Sequence, residues 1–242
     1  NIKKGGYMKK GFTLSEVLIT LGIIGVVAAM TLPAVINNTQ DKQFKAMFKK
    51  QYSALAQAIL MVYTDGNDIP NLTHENWMDM SFYVCKISSQ LKYLKSGLNC
   101  STIEKLGDSP DLNKTDYFND STKWHNDGEW FNKKGEPQKL NSGYLNMTFL
   151  LPDESMINFK CLRDIFIDVN GYKKPNTIGR DIFFVTLPPG KLNLNFWDRR
   201  TFENDKVNSC TNSYAVSITQ TNYEDDCKNG SGWGCSPMYI LD

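Results

Sequence analysis

Apolar residues run unbroken by charge from Val17 to Ile36, VLITLGIIGVVAAMTLPAVI, a stretch of 20 residues. As a helix this stretch is about 30 Å long, the hydrocarbon thickness of a bilayer. Beyond Ile36 the continuous run gives way to a stripe. Phe44, Met47, Phe48, Gln51, Leu55, Ile59 and Val62 recur at steps of three and four, while Lys45, Lys49, Lys50 and Gln57 fall on other faces. The pattern predicts one long helix over 12–65, membrane-spanning over 12–36 and amphipathic thereafter. Gly66, after Thr64 and Asp65, is the expected C-cap. From Phe12 to Thr64 such a helix would be about 80 Å long.

Residues 66–143 read as a connector rich in Asn, Asp, Ser, Lys and aromatics. Within it, Trp77–Leu94 holds the apolar spacing of a helix or two (Phe82, Val84, Ile87, Leu91, Leu94), and Gly107–Pro137 reads as loop with turns. Residues 144–197 change period. Tyr144–Leu151 alternates, Pro152–Ser155 is a turn and Met156–Cys161 returns, which predicts a hairpin. Asp164–Val169 and Asp181–Leu187 are further strands, with Lys191–Trp197 a fifth candidate. Successive strands at this spacing suggest an antiparallel meander. Residues 198–242 are expected to be loop-dominated. The fold class is therefore α+β: a long N-terminal helix whose second half packs on an antiparallel sheet.

Composition changes this picture only where it is uneven. Overall, 27 Lys and Arg balance 26 Asp and Glu, giving +1. That balance excludes a polybasic nucleic-acid binder, and the composition excludes collagen and low-complexity disorder. Lys3, Lys4, Lys9 and Lys10 all precede the apolar run, which places that end in the cytoplasm by the positive-inside rule. Without residues 1–11 the basic count falls to 23, and the rest carries −3. Arg199 and Arg200 form a local basic pair, most simply read as solvated surface. Glu16 sits at the mouth of the apolar run. An ionisable group there is costly without a partner and marks a functional candidate, although a helix N-terminus also favours a carboxylate.

Lys9-Lys10-Gly11-Phe12-Thr13-Leu14-Ser15-Glu16-Val17-Leu18 resembles the cleavage and methylation motif of type IV prepilins and type II secretion pseudopilins. A basic leader ends in Gly, Phe follows, and Glu stands fifth in the mature chain. The resemblance implies a pilin-like fold and cleavage by a prepilin peptidase between Gly11 and Phe12. It also implies N-methylation of Phe12 and retention of the apolar helix for polymerisation. Glu16 would then neutralise the N-terminal amine of a neighbouring subunit, fixing axial register in low dielectric. Pro33 stands where helices of this family usually carry a proline. Lacking a backbone donor, it is expected to kink or locally melt the helix.

Met8–Gly11 already forms a complete short leader, so translation is expected to begin at Met8. Lys-Lys-Gly-Gly at 3–6 can be encoded by a purine-rich ribosome-binding sequence, and residues 1–7 would then be untranslated.

Two further features are candidate chemistry. Between strands, Asp168-Val-Asn-Gly opens a loop with oxygen side chains at Asp168, Asn170, Asn176 and Asp181. Alternating oxygens of this kind resemble the start of calcium loops, and pseudopilin heads often carry calcium in a loop near the sheet. The loop departs from an EF-hand in having two carboxylates and no distal Glu. The competing reading is a long hairpin loop whose Asn-Gly and Pro-Asn are turn chemistry. Six cysteines, 85, 100, 161, 210, 227 and 235, fall on the extracytoplasmic side, where disulfides persist. Short loops favour Cys85–Cys100 and Cys227–Cys235, leaving Cys161–Cys210, among 15 connectivities. No CxxC points to zinc or redox catalysis. His74 and His125 lack metal-ligand spacing, and no nucleophile elbow is present.

The expected function is a structural, non-enzymatic one: a pilin-like subunit, minor rather than major, of a type IV pilus or type II secretion pseudopilus. Its partners would be other pilin or pseudopilin subunits, the prepilin peptidase and the assembly machinery. No cofactor beyond calcium is expected. It would sit in the bacterial inner membrane as a single pass with its head outside, then in a periplasmic or cell-surface filament. The alternatives are a filament-tip adhesin or a DNA- or ligand-binding subunit. A membrane-anchored extracytoplasmic hydrolase is the third reading.

Overall fold

A computed structural model describes residues 11–66, 77–109, 111–112, 130–138, 147–161, 164–187, 194, 196 and 218–241. Helix α1 runs Leu14–Thr64, and the chain divides into two compact units, residues 1–42 and 43–242. In the first unit the helix is apolar on every face. Leu18, Leu21, Ile24, Val27, Met30 and Ile36 are all exposed. Among the described residues it is the one helix long and apolar enough to cross a membrane. Pro33 lies inside it. Its missing N–H leaves the Ala29 carbonyl without the usual i−4 donor.

The second unit is an α+β head. Its sheet has the order β1 (Lys95–Ser96), β6 (Thr148–Leu150), β7 (Met156–Cys161), β8 (Asp164–Asp168), β9 (Ile182–Thr186), all antiparallel. Strands β6 to β9 follow one another as the sequence predicts. The fifth strand differs. It is β1, drawn from the region read as connector, and it lies at the edge beside β6. Of the expected strand Lys191–Trp197, only Leu194 and Phe196 are described, and neither is in a ladder. Leu194 is buried and Phe196 stacks on Tyr52 at 5.7 Å, so packing rather than strand pairing occupies these side chains.

The head half of α1 buries Phe44, Phe48, Gln51, Leu55, Ala58, Ile59 and Val62. This stripe meets α2 (Trp77–Gln90) and one sheet face, formed by Phe149, Ile157, Phe159, Ile165, Ile167, Phe183 and Val185. Phe48 stacks on Phe183 with ring centroids 4.1 Å apart. Strands β8 and β9 are buried on both faces, so Phe166, Phe184 and Ile182 need a second cover. Trp130 and Trp233 supply it. Trp130 comes from β4 (Trp130–Phe131), paired with β5 (Pro137–Gln138), and a further two-stranded ladder joins β2 (Leu98–Asn99) to β3 (Asp111–Leu112). The expectation of loop and turns over Gly107–Pro137 is thus corrected by three very short strands.

The reading of 198–242 as loop-dominated is corrected over 218–241, which holds α3 (Tyr223–Asn229) and α4 (Cys235–Leu241). Glu224, Asp225 and Asp226 favour the start of α3, where helix N–H groups are unpaired. Asp226 then accepts from the backbone N–H groups of Ser231 (2.9 Å) and Gly234 (2.8 Å), closing the turn. The Cys227–Cys235 disulfide joins the two helices, and Cys85–Cys100 ties α2 to the 3-10 turn at Cys100–Thr102. The Cys161–Cys210 pairing, His74, His125, Arg199 and Arg200 lie outside the described residues and side chains.

Candidate functional site

At the N-terminal site, Gly11, Phe12 and Thr13 precede the first helical residue, and Phe12 is 88% exposed. The helix opens on a reciprocal cap. The Glu16 N–H donates to Thr13 Oγ1 at 3.2 Å, and Thr13 donates its backbone N–H and its hydroxyl to Glu16 Oε2, each at 2.8 Å. This is a capping box, which satisfies otherwise orphaned donors of the first turn. It also fixes where the helix begins, so the Gly11–Phe12 bond stays in non-helical chain. Glu16 Oε1 has no hydrogen-bond partner among the described residues. Thr13 was absent from the sequence-derived site residues. The Thr-x-x-Glu spacing ahead of an apolar run is the signal that finds it.

The second candidate is the loop between β8 and β9. It brings all four expected oxygen-bearing residues close to one another. Asp168 ends β8 and is 1% exposed, while Asp181 is fully buried. Asp168 Oδ1 accepts the backbone N–H groups of Asn170 (3.2 Å) and Gly171 (2.8 Å). Asp181 accepts those of Asn176 (2.8 Å) and Thr177 (2.6 Å). Asn176 adopts φ 53°, and this left-handed turn aims the two successive N–H groups at one carboxylate. The Asn170 Nδ2 donates to the carbonyls of Lys173 (2.9 Å) and Lys174 (3.2 Å), turning its other amide atom inward.

Electrostatics single this loop out. Burial pushes Asp168 well above the ordinary carboxylate range, against the two backbone donors that lower it. Asp181 is raised to about 6, first by burial and then by the neighbouring charge of Asp168. Two carboxylates thus lie near each other in a desolvated pocket. Asn170 Oδ1 and Asn176 Oδ1 are buried and have no hydrogen-bond partner among the described residues. Amide carbonyl oxygens and carboxylates are the kinds of ligand that a hard cation takes. Among the described residues no cluster reaches three His, Cys, Asp or Glu. The set therefore depends on its amide oxygens, and it suits calcium better than zinc.

One comparison bears on the N-terminal site. The family model "Prokaryotic N-terminal methylation motif" matches residues 7–32. Neither a curated protein nor a solved structure matches the chain. The match covers the leader, the Gly11–Phe12 bond, the capping box and the first turns of the apolar helix, while the head stands outside it. At its N-terminus the chain therefore carries the prepilin-type methylation motif that marks type IV pilin-like and pseudopilin precursors.

Proposed function

We propose that this chain is a structural, non-enzymatic pilin-like subunit, a minor one, of a type IV pilus or type II secretion pseudopilus. It is cleaved between Gly11 and Phe12, N-methylated on Phe12, and polymerises through its apolar helix. The observation that carries this reading is the motif at residues 7–32 seated on an exposed apolar helix. The geometry of Glu16 supports it. One carboxylate oxygen caps its own helix, and the other is left for the amine of a neighbouring subunit. In a low-dielectric setting that pair defines register, because an unpaired charge there is costly. The test is Glu16→Ala with processing and filament incorporation followed separately. Processing is expected to persist while incorporation falls sharply, and normal incorporation would sink the mechanism.

The head holds calcium in this reading. Asp168 and Asp181 would bind it with the side-chain oxygens of Asn170 and Asn176. Melting the protein with calcium and with chelator tests the assignment. An unchanged melting temperature removes it.

A further inference from the structure

One flank of the head half of α1 carries two lysines outside any ion pair. Lys45 and Lys49 stand four residues apart, about one helical turn, so they share a face. Lys45 is half-buried and Lys49 is exposed, and among the described residues neither forms a salt bridge. Lys50, turned about 100° from Lys49, differs, because Asp153 holds its ammonium at 2.6 Å.

Lys45 Nζ lies over the ring of Tyr239, 4.6 Å from its centroid. Tyr239 belongs to α4, so this contact sets the last turn of α4 beside the lysine flank. There Tyr239 and Ile240 are half-buried on the core, and Leu241 is 58% exposed. Cations, an amphipathic ring and aliphatic side chains thus meet at one place on the head. Asp242, which follows, lies outside the described residues.

That combination is the chemistry of a membrane interface. Lysine stems lie on apolar surface while their ammonium groups reach out to phosphates. Tyrosine rings sit at headgroup depth, and aliphatic side chains enter the acyl boundary. The chain position agrees. Lys45 comes nine residues after Ile36, the last residue of the apolar run, and α1 is continuous through them. Nine residues of helix rise about 14 Å. The headgroup layer accounts for about 5–8 Å of that on each side of the hydrocarbon. Membrane helices tilt by about 20° on average, and a tilt towards this flank lowers it onto the headgroups.

We propose that the Lys45–Lys49 flank of α1 and the last turn of α4 form a docking surface for anionic phospholipid headgroups, on which the head of the unassembled subunit rests. This rests on the reading of the apolar run as a membrane anchor. The two ammonium groups take lipid phosphates, and Ile240 and Leu241 enter the boundary between headgroups and acyl chains.

The experiment is hydrogen exchange on the full chain in lipid nanodiscs at one chain per disc. One set of discs is phosphatidylcholine alone, and the other is half phosphatidylglycerol. Insertion is read separately, as co-elution of chain and disc. Amides of residues 239–241 are expected to exchange about ten-fold slower in the anionic discs, as fraying of a short helix end is suppressed. Salt at about 0.5 M should cut the difference to about two-fold or less, because headgroup attraction is screened. Lys45→Gln combined with Lys49→Gln should do the same at low salt. Leu241→Gln, at an exposed position, should lower the protection from the apolar side and serves if the double variant does not fold. Equal exchange in the two discs, or a difference that survives these substitutions, overturns the docking and leaves the anchor standing. A difference seen only in discs holding several chains shows that a second copy covers the face, and overturns it too. A chain that does not co-elute with the discs overturns both the docking and the membrane reading.

Discussion

Thr13 and Glu16 show how a single residue can serve two ends. The carboxylate caps its own helix through Oε2, and in the proposed filament Oε1 is left for another chain, so Thr13→Val is expected to misplace Glu16 without removing it. Cleavage at Gly11–Phe12 and filament incorporation, scored on the same samples, check this: incorporation should fall while Glu16 is intact. Glu16 was legible in the sequence because it stands in a spaced motif. Thr13 was legible only through its capping role, which the motif conceals. Other residues were not legible at all. Gly171 needs its φ of 64° and its contact with the Glu154 carbonyl, two strands away in the hairpin order. Gly171→Ala is expected to cost about 1–3 kcal/mol for the backbone conformation alone, with the collision added. A lowered melting temperature and weakened calcium binding together would check it. Phe48→Ala removes a fully buried ring stacked on Phe183. Such truncations cost about 3–5 kcal/mol, read as a shift of the denaturant midpoint.

At the scale of elements, legibility followed the length of the repeating pattern. The stripe of α1 and the apolar runs of β7, β8 and β9 extend over enough positions for the pattern to show, and they fold as read. Strand β1 is two residues long, so it has no period. Its place is set by Leu94 and Gly97 donating N–H groups to the Leu150 (2.8 Å) and Thr148 (3.1 Å) carbonyls. Helices α3 and α4 are too short to be stable alone. They exist because the chain between them is closed by Asp226 and a disulfide, and because Trp233 packs on Phe166 and Phe184. The edge of β9 depends on them. The Phe184 N–H donates to Ser236 Oγ at 2.9 Å, so α4 covers part of the outer edge of β9. Replacing Cys227 and Cys235 together by Ser is expected to cost about 2–3 kcal/mol from loop-closure entropy. The loss should appear first as faster amide exchange at Phe184 and in α4. Equal acceleration over the whole head would instead place the disulfide outside any local role.

For the molecule as a whole, the buried pair in the β8–β9 loop is expected to make the head respond to pH and, on the proposed calcium reading, to calcium as well. Asp181 ionises at about 6 in the fold against 3.8 for a free side chain, and Asp168 is shifted in the same direction. A raised acid binds its proton more tightly in the folded state. Its contribution is therefore full below about 3.8 and is lost as pH climbs to about 6. Asp153 has the opposite sign. Burial pushes it up, but Lys50 and Ser155 hold it below its ordinary value, so its contribution is lost as pH falls. The total pH profile mixes both, but the difference between calcium and chelator isolates the pair. Calcium binds the ionised carboxylates, so its effect should be small near pH 5 and should grow through pH 6 to a plateau. At a hundred-fold excess over the dissociation constant the linkage is about 2.7 kcal/mol, a melting shift of roughly 5–10 °C for a head of this size. Asp181→Asn should remove both the calcium shift and its rise with pH, while leaving the acid limb set by Asp153. A calcium shift equal at pH 5 and pH 7.5, or one that survives in Asp181→Asn, would show that the ion acts elsewhere and that the buried pair only shares a proton.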